Sequence, residues 1–190
     1  GADCNPHPRS EVELARQHGK TLAAAVEAVL PAAVEPLRGP LEVGFEQVEL
    51  KLVDPPGKEE LEQLSEHKNV YQQRLARYLL GELAAGRALP TSCSCPVQVI
   101  RFGDDLLMAA LGGEACVDYA LRLRREFAGR RIWIASYSND VFAYLPSERV
   151  LQEGGYEGGA AMMYFGLHGP FQPGVEQRVI DAVKRLAAKR

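Results

Sequence analysis

The rhythm of apolar and polar residues changes several times along this chain, and each rhythm predicts an element. Leu14, Leu22, Val26 and Leu30 recur at spacings of four or eight, so they share one face of a helix. Ser10-Glu11-Val12-Glu13 in front of them reads as a capping box, the serine capping the helix while Glu13 reaches back. Pro31 ends it, and the link PAAVEPLRGP leads to LEVGFEQVELKLV, residues 41–53. That segment alternates as a strand: Leu41, Val43 and Phe45, then Val48, Leu50 and Leu52. The phase slips at Glu46-Gln47, which predicts a bulge. Pro55-Pro56-Gly57 stops the strand, and residues 58–85 are helical in composition, with Leu61, Leu64, Leu75, Leu79 and Leu83 turned inward.

The second half of the chain turns to β patterns. Val97 to Phe102 is β-rich, Gly103-Asp104-Asp105 is a turn, and LLMAAL is a continuous apolar run. This predicts a hairpin whose second arm is buried on both faces. Gly112-Gly113-Glu114 interrupts, and ACVDYALRLRREF resumes as an amphipathic helix with Val117, Leu121 and Phe127 inward. Ile132-Trp133-Ile134-Ala135 reads as another buried strand, and a last helix from about Val175 carries Val179, Val183 and Leu186 on one face. Hairpin and strand–helix–strand units together predict an α/β fold: a mixed sheet layered with helices. The 190 residues form a single domain or the C-terminal part of a larger one.

Composition narrows the partners. With 22 basic and 25 acidic side chains the formal charge is −3, too balanced for nucleic acid or an anionic membrane as the main partner. No apolar run of about 18 residues occurs, so no transmembrane segment is expected. Cys93 and Cys95 form a C-x-C, not the C-x-x-C pairs of structural zinc sites, and the four cysteines read as structural. His7, His18, His67 and His168 show no ligand spacing and read as surface or capping residues.

Two places are built for presenting side chains. LLMAALGGEACV runs from a buried strand through two glycines to Glu114, where a helix is expected to begin. Strand ends feeding helix starts are common ligand positions in α/β sheets, and a helix start keeps Glu114 ionised, as a metal ligand must be. On the residues alone Glu114 reads first as a first-turn acid stabilising its own helix. One strand later SYSNDVFAYLPSERVLQEGGYEGG has the same geometry; if the strands are neighbours, the two sites converge. Tyr144 and Tyr156 are then site residues, or half-buried aromatics with their hydroxyls at the rim. Tyr137 reads as packing at the strand end, and the paired glycines around Tyr156 let that loop fold back.

VQVIRFGDDLLMAALGGE, followed by SYSNDVFAYLPSERVLQEGGYEGG and preceded by GADCNP, resembles the latter part of the catalytic domain of the neutral/alkaline, non-lysosomal ceramidases. The resemblance implies a zinc-dependent amidohydrolase that cleaves the N-acyl amide of ceramide or a related lipid amide by a zinc-activated water. It makes Glu114 and Tyr144 zinc ligands and Tyr156 a hydroxyl beside the scissile amide. The two remaining histidine ligands are expected upstream, so the partners implied are a lipid amide or another small molecule and the N-terminal part of the same domain. This segment alone would then be inactive, and the compartment would be secreted or periplasmic. Asn5 stands where the family carries its active serine; it can donate a hydrogen bond to an oxyanion but lacks the hydroxyl. The alternative is a catalytically impaired relative that binds a lipid or glycan in the old cleft. A structural domain whose loop tyrosines serve an interface is a third reading.

Overall fold

The computed structural model describes residues 7–31 and 35–188. Seven α-helices and six strands follow in the order α1 (Val12–Val29), β1 (Leu41–Lys51), α2 (Lys58–Leu64), α3 (Val70–Ala84), β2 (Ser92–Phe102) and β3 (Leu106–Leu111). Then come β4 (Glu114–Ala115), α4 (Val117–Glu126), β5 (Ile132–Ala135), β6 (Tyr144–Leu145), α5 (Glu148–Glu153), α6 (Gly155–Gly158), a 3₁₀ turn (Ala160–Phe165) and α7 (Val175–Ala188). The strands β1-β2-β3-β5 make one mixed sheet, antiparallel except for the parallel pair β3–β5, while β4 and β6 form a small parallel pair of their own. The fold is the layered α/β arrangement that the hydrophobic rhythms imply.

One face of the sheet carries the main core. Leu50, Leu52, Cys95, Val97, Val99, Leu107, Ala109 and Leu111 pack there against Tyr119 and Leu123 of α4 and against Val179, Ile180, Val183 and Leu186 of α7. Helix α7 lies closely on the sheet: a Cβ on Gly44 would sit 3.1 Å from Leu186. Its end is tied down by Arg101, which donates to the Ala187 carbonyl at 3.2 Å and pairs with Glu42. Helices α2 and α3 enclose a second, smaller core of Leu61, Ala76, Leu79 and Leu89. Their Leu64, Leu75 and Leu83 line its margin, as their spacing implies.

Several local expectations change. The β1–β2 register runs without interruption from Leu41↔Phe102 to Lys51↔Ser92, so there is no bulge. The phase slip marks a change of face: Val48 and Leu50 point into the core, whereas Leu41, Val43 and Phe45 lie on the opposite, exposed face with Trp133. Glu42 and Glu46 take the inner positions there, beside Arg101 and Arg185 near the end of α7. Trp133 is 60% exposed, so β5 is not the buried strand expected: only Ile132 and Ile134 pack, partly buried, against the core.

The capping box at α1 is not formed either. Ser10 has φ +81°, Glu11 is the N-cap without a side-chain bond, and Glu13 pairs with Arg16. Helix α1 buries none of its residues, Leu22 and Val26 included, and Leu30 at its C-cap is exposed as well. The helical stretch 58–85 breaks between Leu64 and Val70, where Asn69 caps α3 by accepting from the Tyr71 and Gln72 N–H groups. In α4 the inward stripe is Tyr119, Leu123 and Phe127; Val117 and Leu121 face outward. The choice follows from the phenol, whose buried hydroxyl donates to the Pro146 carbonyl at 3.0 Å.

The α4 register has a direct test by urea unfolding. Leu123→Ala should cost about 2–5 kcal/mol, the range for emptying a core leucine site. Leu121→Ala should stay within about 0.5 kcal/mol. Equal losses would contradict this packing.

Candidate functional site

Because β3 and β5 are parallel neighbours, their C-terminal ends arrive side by side. The chain leaving β3 passes Gly112 and Gly113 to β4, and the chain leaving β5 loops through residues 136–143 to β6. Strands β4 and β6 then pair in parallel with Glu114 opposite Tyr144 and Ala115 opposite Leu145. The two sequence segments singled out for chemistry therefore do converge. Glu114 is not a first-turn acid of α4: it lies in β4, ahead of the N-cap Cys116, and the acid of that first turn is Asp118.

The two glycines have a packing reason. A Cβ on Gly112 would sit 2.6 Å from the Pro96 ring, and one on Gly113 2.8 Å from the Ala143 carbonyl oxygen. Gly113 also has φ +71°, a conformation that costs L-residues energy. Ser136 joins the two loops. Its hydroxyl donates to the Gly113 carbonyl at 3.1 Å and accepts from the Ala115 N–H at 2.8 Å. The Gly113 carbonyl accepts a second bond from the Tyr137 N–H at 3.0 Å, and the Glu114 N–H donates to the Ala143 carbonyl at 2.9 Å. Glu114 is thus held by backbone bonds on either side of it.

Tyr137 and Asn139 pass through left-handed conformations, φ +55° and +69°. Such residues cost on the order of 1–3 kcal/mol each and persist only where surrounding bonds enforce them. Here the enforcing bonds are those of the Tyr137 N–H to Gly113 and of the Ser138 N–H to the Leu111 carbonyl at 3.0 Å. The result corrects the reading of Tyr137 as strand-end packing. It is half exposed, and its hydroxyl interacts with the Glu114 carboxylate, which raises the phenol to about 12, first through the hydrogen bond and then through burial and charge. The Tyr144 phenol is raised further, by burial first and then by the charge of Glu114 and hydrogen bonding to it. One carboxylate therefore holds up the ionisation of both phenols.

Tyr156 reaches this pair from α6. Its ring lies 5.4 Å from that of Tyr144, edge to face, and it is 47% exposed. Gly154 and Gly155, at φ +73° and +77°, reverse the chain between α5 and α6, and Gly158 lets α6 press on α5, since a Cβ there would lie 2.6 Å from the Val150 carbonyl oxygen. Helix α5 is itself fixed by Ser147, which caps it by accepting from the Val150 N–H at 3.2 Å and donates to Asp118. The row of rings continues through Tyr164, 6.1 Å from Tyr156, to Tyr71, 4.9 Å from Tyr164. Neither Tyr71 nor Tyr164 carries any sequence signal for this placement.

The structure thus joins Glu114, Tyr144 and Tyr156 and adds Tyr137; Asn5 lies outside the described residues. Among the described residues no three His, Cys, Asp or Glu side chains gather as a metal cage, and the oxygen atoms of this cluster are those of Glu114 and its phenols. Cys93 and Cys95 are poor nucleophiles, their thiols pushed up to about 11 and about 12 by burial. No helix among the described residues is long and apolar enough to cross a membrane. The chain matches no family model and no curated protein.

Raised phenol values mean that the fold favours the protonated form; this contribution is complete below pH 10, the ordinary value, and fades as pH rises through about 12. In Glu114→Ala, ultraviolet titration at 295 nm should show Tyr137 ionising closer to 10. An unchanged titration would show that Glu114 does not hold the phenol.

Proposed function

We propose that the chain is part of a ceramidase-like, zinc-dependent amidohydrolase acting on the N-acyl amide of ceramide or a related lipid amide. The observation that carries this reading is the register that sets Glu114 opposite Tyr144, with Tyr156 edge-on at 5.4 Å. These are the residues that the resemblance assigns to the metal and to the substrate side, and they come from three separate elements.

The donor chemistry fits a hard or borderline cation. Glu114 is an anion already beside two phenols, and its charge opposes ionisation of either one. A divalent cation at the carboxylate reverses that balance, because positive charge stabilises a phenolate as it does a hydroxide. Zinc would supply Lewis-acid polarisation of the amide carbonyl and activation of a water molecule. Two ligands come from this segment, and the histidines that complete a four-coordinate site are sought upstream. Tyr156, half exposed at the edge of the pair, can donate to the oxygen of a developing oxyanion.

A second reading keeps the cleft but not the chemistry. It rests on Asn5, which lacks the hydroxyl of the serine that the family carries. On that reading the protein binds a lipid or glycan without hydrolysing it.

The test uses the intact protein. Glu114→Ala and Tyr144→Ala should each weaken zinc binding by at least about tenfold, since even outer partners of ligands contribute that much. Tyr156→Phe should retain zinc and lower turnover of N-acyl substrates by about 10²- to 10³-fold. Full zinc occupancy in both ligand variants refutes the metal assignment. Zinc and lipid binding without hydrolysis of any N-acyl substrate supports the second reading instead.

A further inference from the structure

The sheet has one covered face and one open face. The strand registers set Val43, Ile100, Met108 and Trp133 side by side across all four strands, on the face away from α4 and α7. Leu41 and Phe45 flank Val43 on the same side of β1, and Leu41, Val43, Phe45 and Trp133 are each more than half exposed. An apolar sheet face is normally buried against a second layer, and a monomer seldom leaves an apolar patch larger than a few hundred Å² open to water.

The same chain carries a second apolar surface without a partner. Leu22, Val26, Val29 and the C-cap Leu30 follow the spacing of a helical stripe, and all four are more than half exposed. Glu13, Lys20 and Glu27 lie on the opposite side of α1. A helix of 18 residues runs about 27 Å, and four strands about 4.8 Å apart span less, so α1 can cross the whole open face.

The tether of α1 decides whose sheet it crosses. Ahead of β1 the link is anchored at the end of the sheet: Glu35 pairs with Arg131, the Arg38 N–H donates to Asp105 at 2.6 Å, and the Gly103 N–H donates to the Pro40 carbonyl at 3.0 Å. Between Leu30 and Glu35 only residues 31–34 are left to bring α1 back over its own strands. Short connections of this kind favour exchange between two molecules over closure within one.

We infer that the open face is an interface with a second copy of this chain, in which each molecule lays α1 across the sheet of the other about a two-fold axis. Such an isologous exchange covers the helix stripe and the sheet face of both copies at once. An aromatic side chain carries about 150–250 Å² and an aliphatic one less, so stripe and face together offer on the order of 600 Å² per chain. Two copies then bury on the order of 1,200 Å², where the range of specific, stable interfaces begins. The surface shares no residue with Glu114, Tyr137, Tyr144 and Tyr156, and so does not depend on the zinc reading.

Sedimentation velocity of the intact protein, read together with the emission of Trp133, the one tryptophan of this sequence, tests the exchange. A dimer is expected, with Trp133 emission shifted to the blue and returning to the red as dilution dissociates it. Val26→Glu in the stripe and Phe45→Glu in the face should each raise the dimer Kd at least about tenfold, as residues central to an interface do. Both positions are exposed in the single chain, so neither change disturbs the core. An equal mixture of the two variants should dimerise more tightly than either alone, because an intact helix then meets an intact face once in each mixed pair. A monomer at every concentration overturns the proposal, and so does Trp133 shielded within a monomer, which would mean that another part of the same molecule covers the face. A dimer that leaves Trp133 exposed, or a mixture no tighter than its components, overturns it as well.

Discussion

The parallel pairing of β3 with β5 is the constraint on which the rest of the molecule depends. It places two strand ends side by side and obliges the loops leaving them to run within hydrogen-bonding distance. Loops at that separation leave no space for side chains at the crossing, hence Gly112 against Pro96 and Gly113 against Ala143. Once they are pinned through Ser136, the short β4–β6 pair follows, and with it the meeting of Glu114 and Tyr144. The carboxylate–phenol cluster is thus a product of backbone geometry, and its side chains need little packing of their own to stay together.

Burial is divided to match. The helices α4 and α7 cover one face of the sheet and form a dense core there, while the other face keeps Leu41, Val43, Phe45 and Trp133 exposed. The cluster sits past the strand ends, beyond the core, where side chains are half exposed and available to solutes. Rigid strands behind and mobile-length loops in front are the usual division between scaffold and site.

The fold class was legible because its rhythms are long. The β2–β3 hairpin and the α7 stripe of Val179, Val183 and Leu186 follow from spacing alone. Faces were harder. In α4, Val117–Leu121 and Tyr119–Leu123 have the same spacing of four, and the Tyr119 hydroxyl bond to Pro146, made across sequence, decides between them. In β1 a change of face and a bulge give the same pattern, and only the partner strand separates them. Of the site, the meeting of the Glu114 and Tyr144 segments was readable from strand ends on the condition that β3 and β5 are neighbours, and Tyr156 entered through the resemblance. Tyr137 was not readable, because its left-handed backbone redirects a residue that would otherwise continue the strand.

The helices α2 and α3, with their own small core, are inserted between β1 and β2, the two longest strands and direct partners in the sheet. The ladder between those strands can close only after the whole insertion has been looped out. The entropic cost of that closure grows just logarithmically with loop length, so a collapsed insertion adds little to it. What the arrangement does change is the hierarchy of opening. A unit with a separate core can detach along its seam while the ladder stays intact, giving the molecule two tiers of local stability.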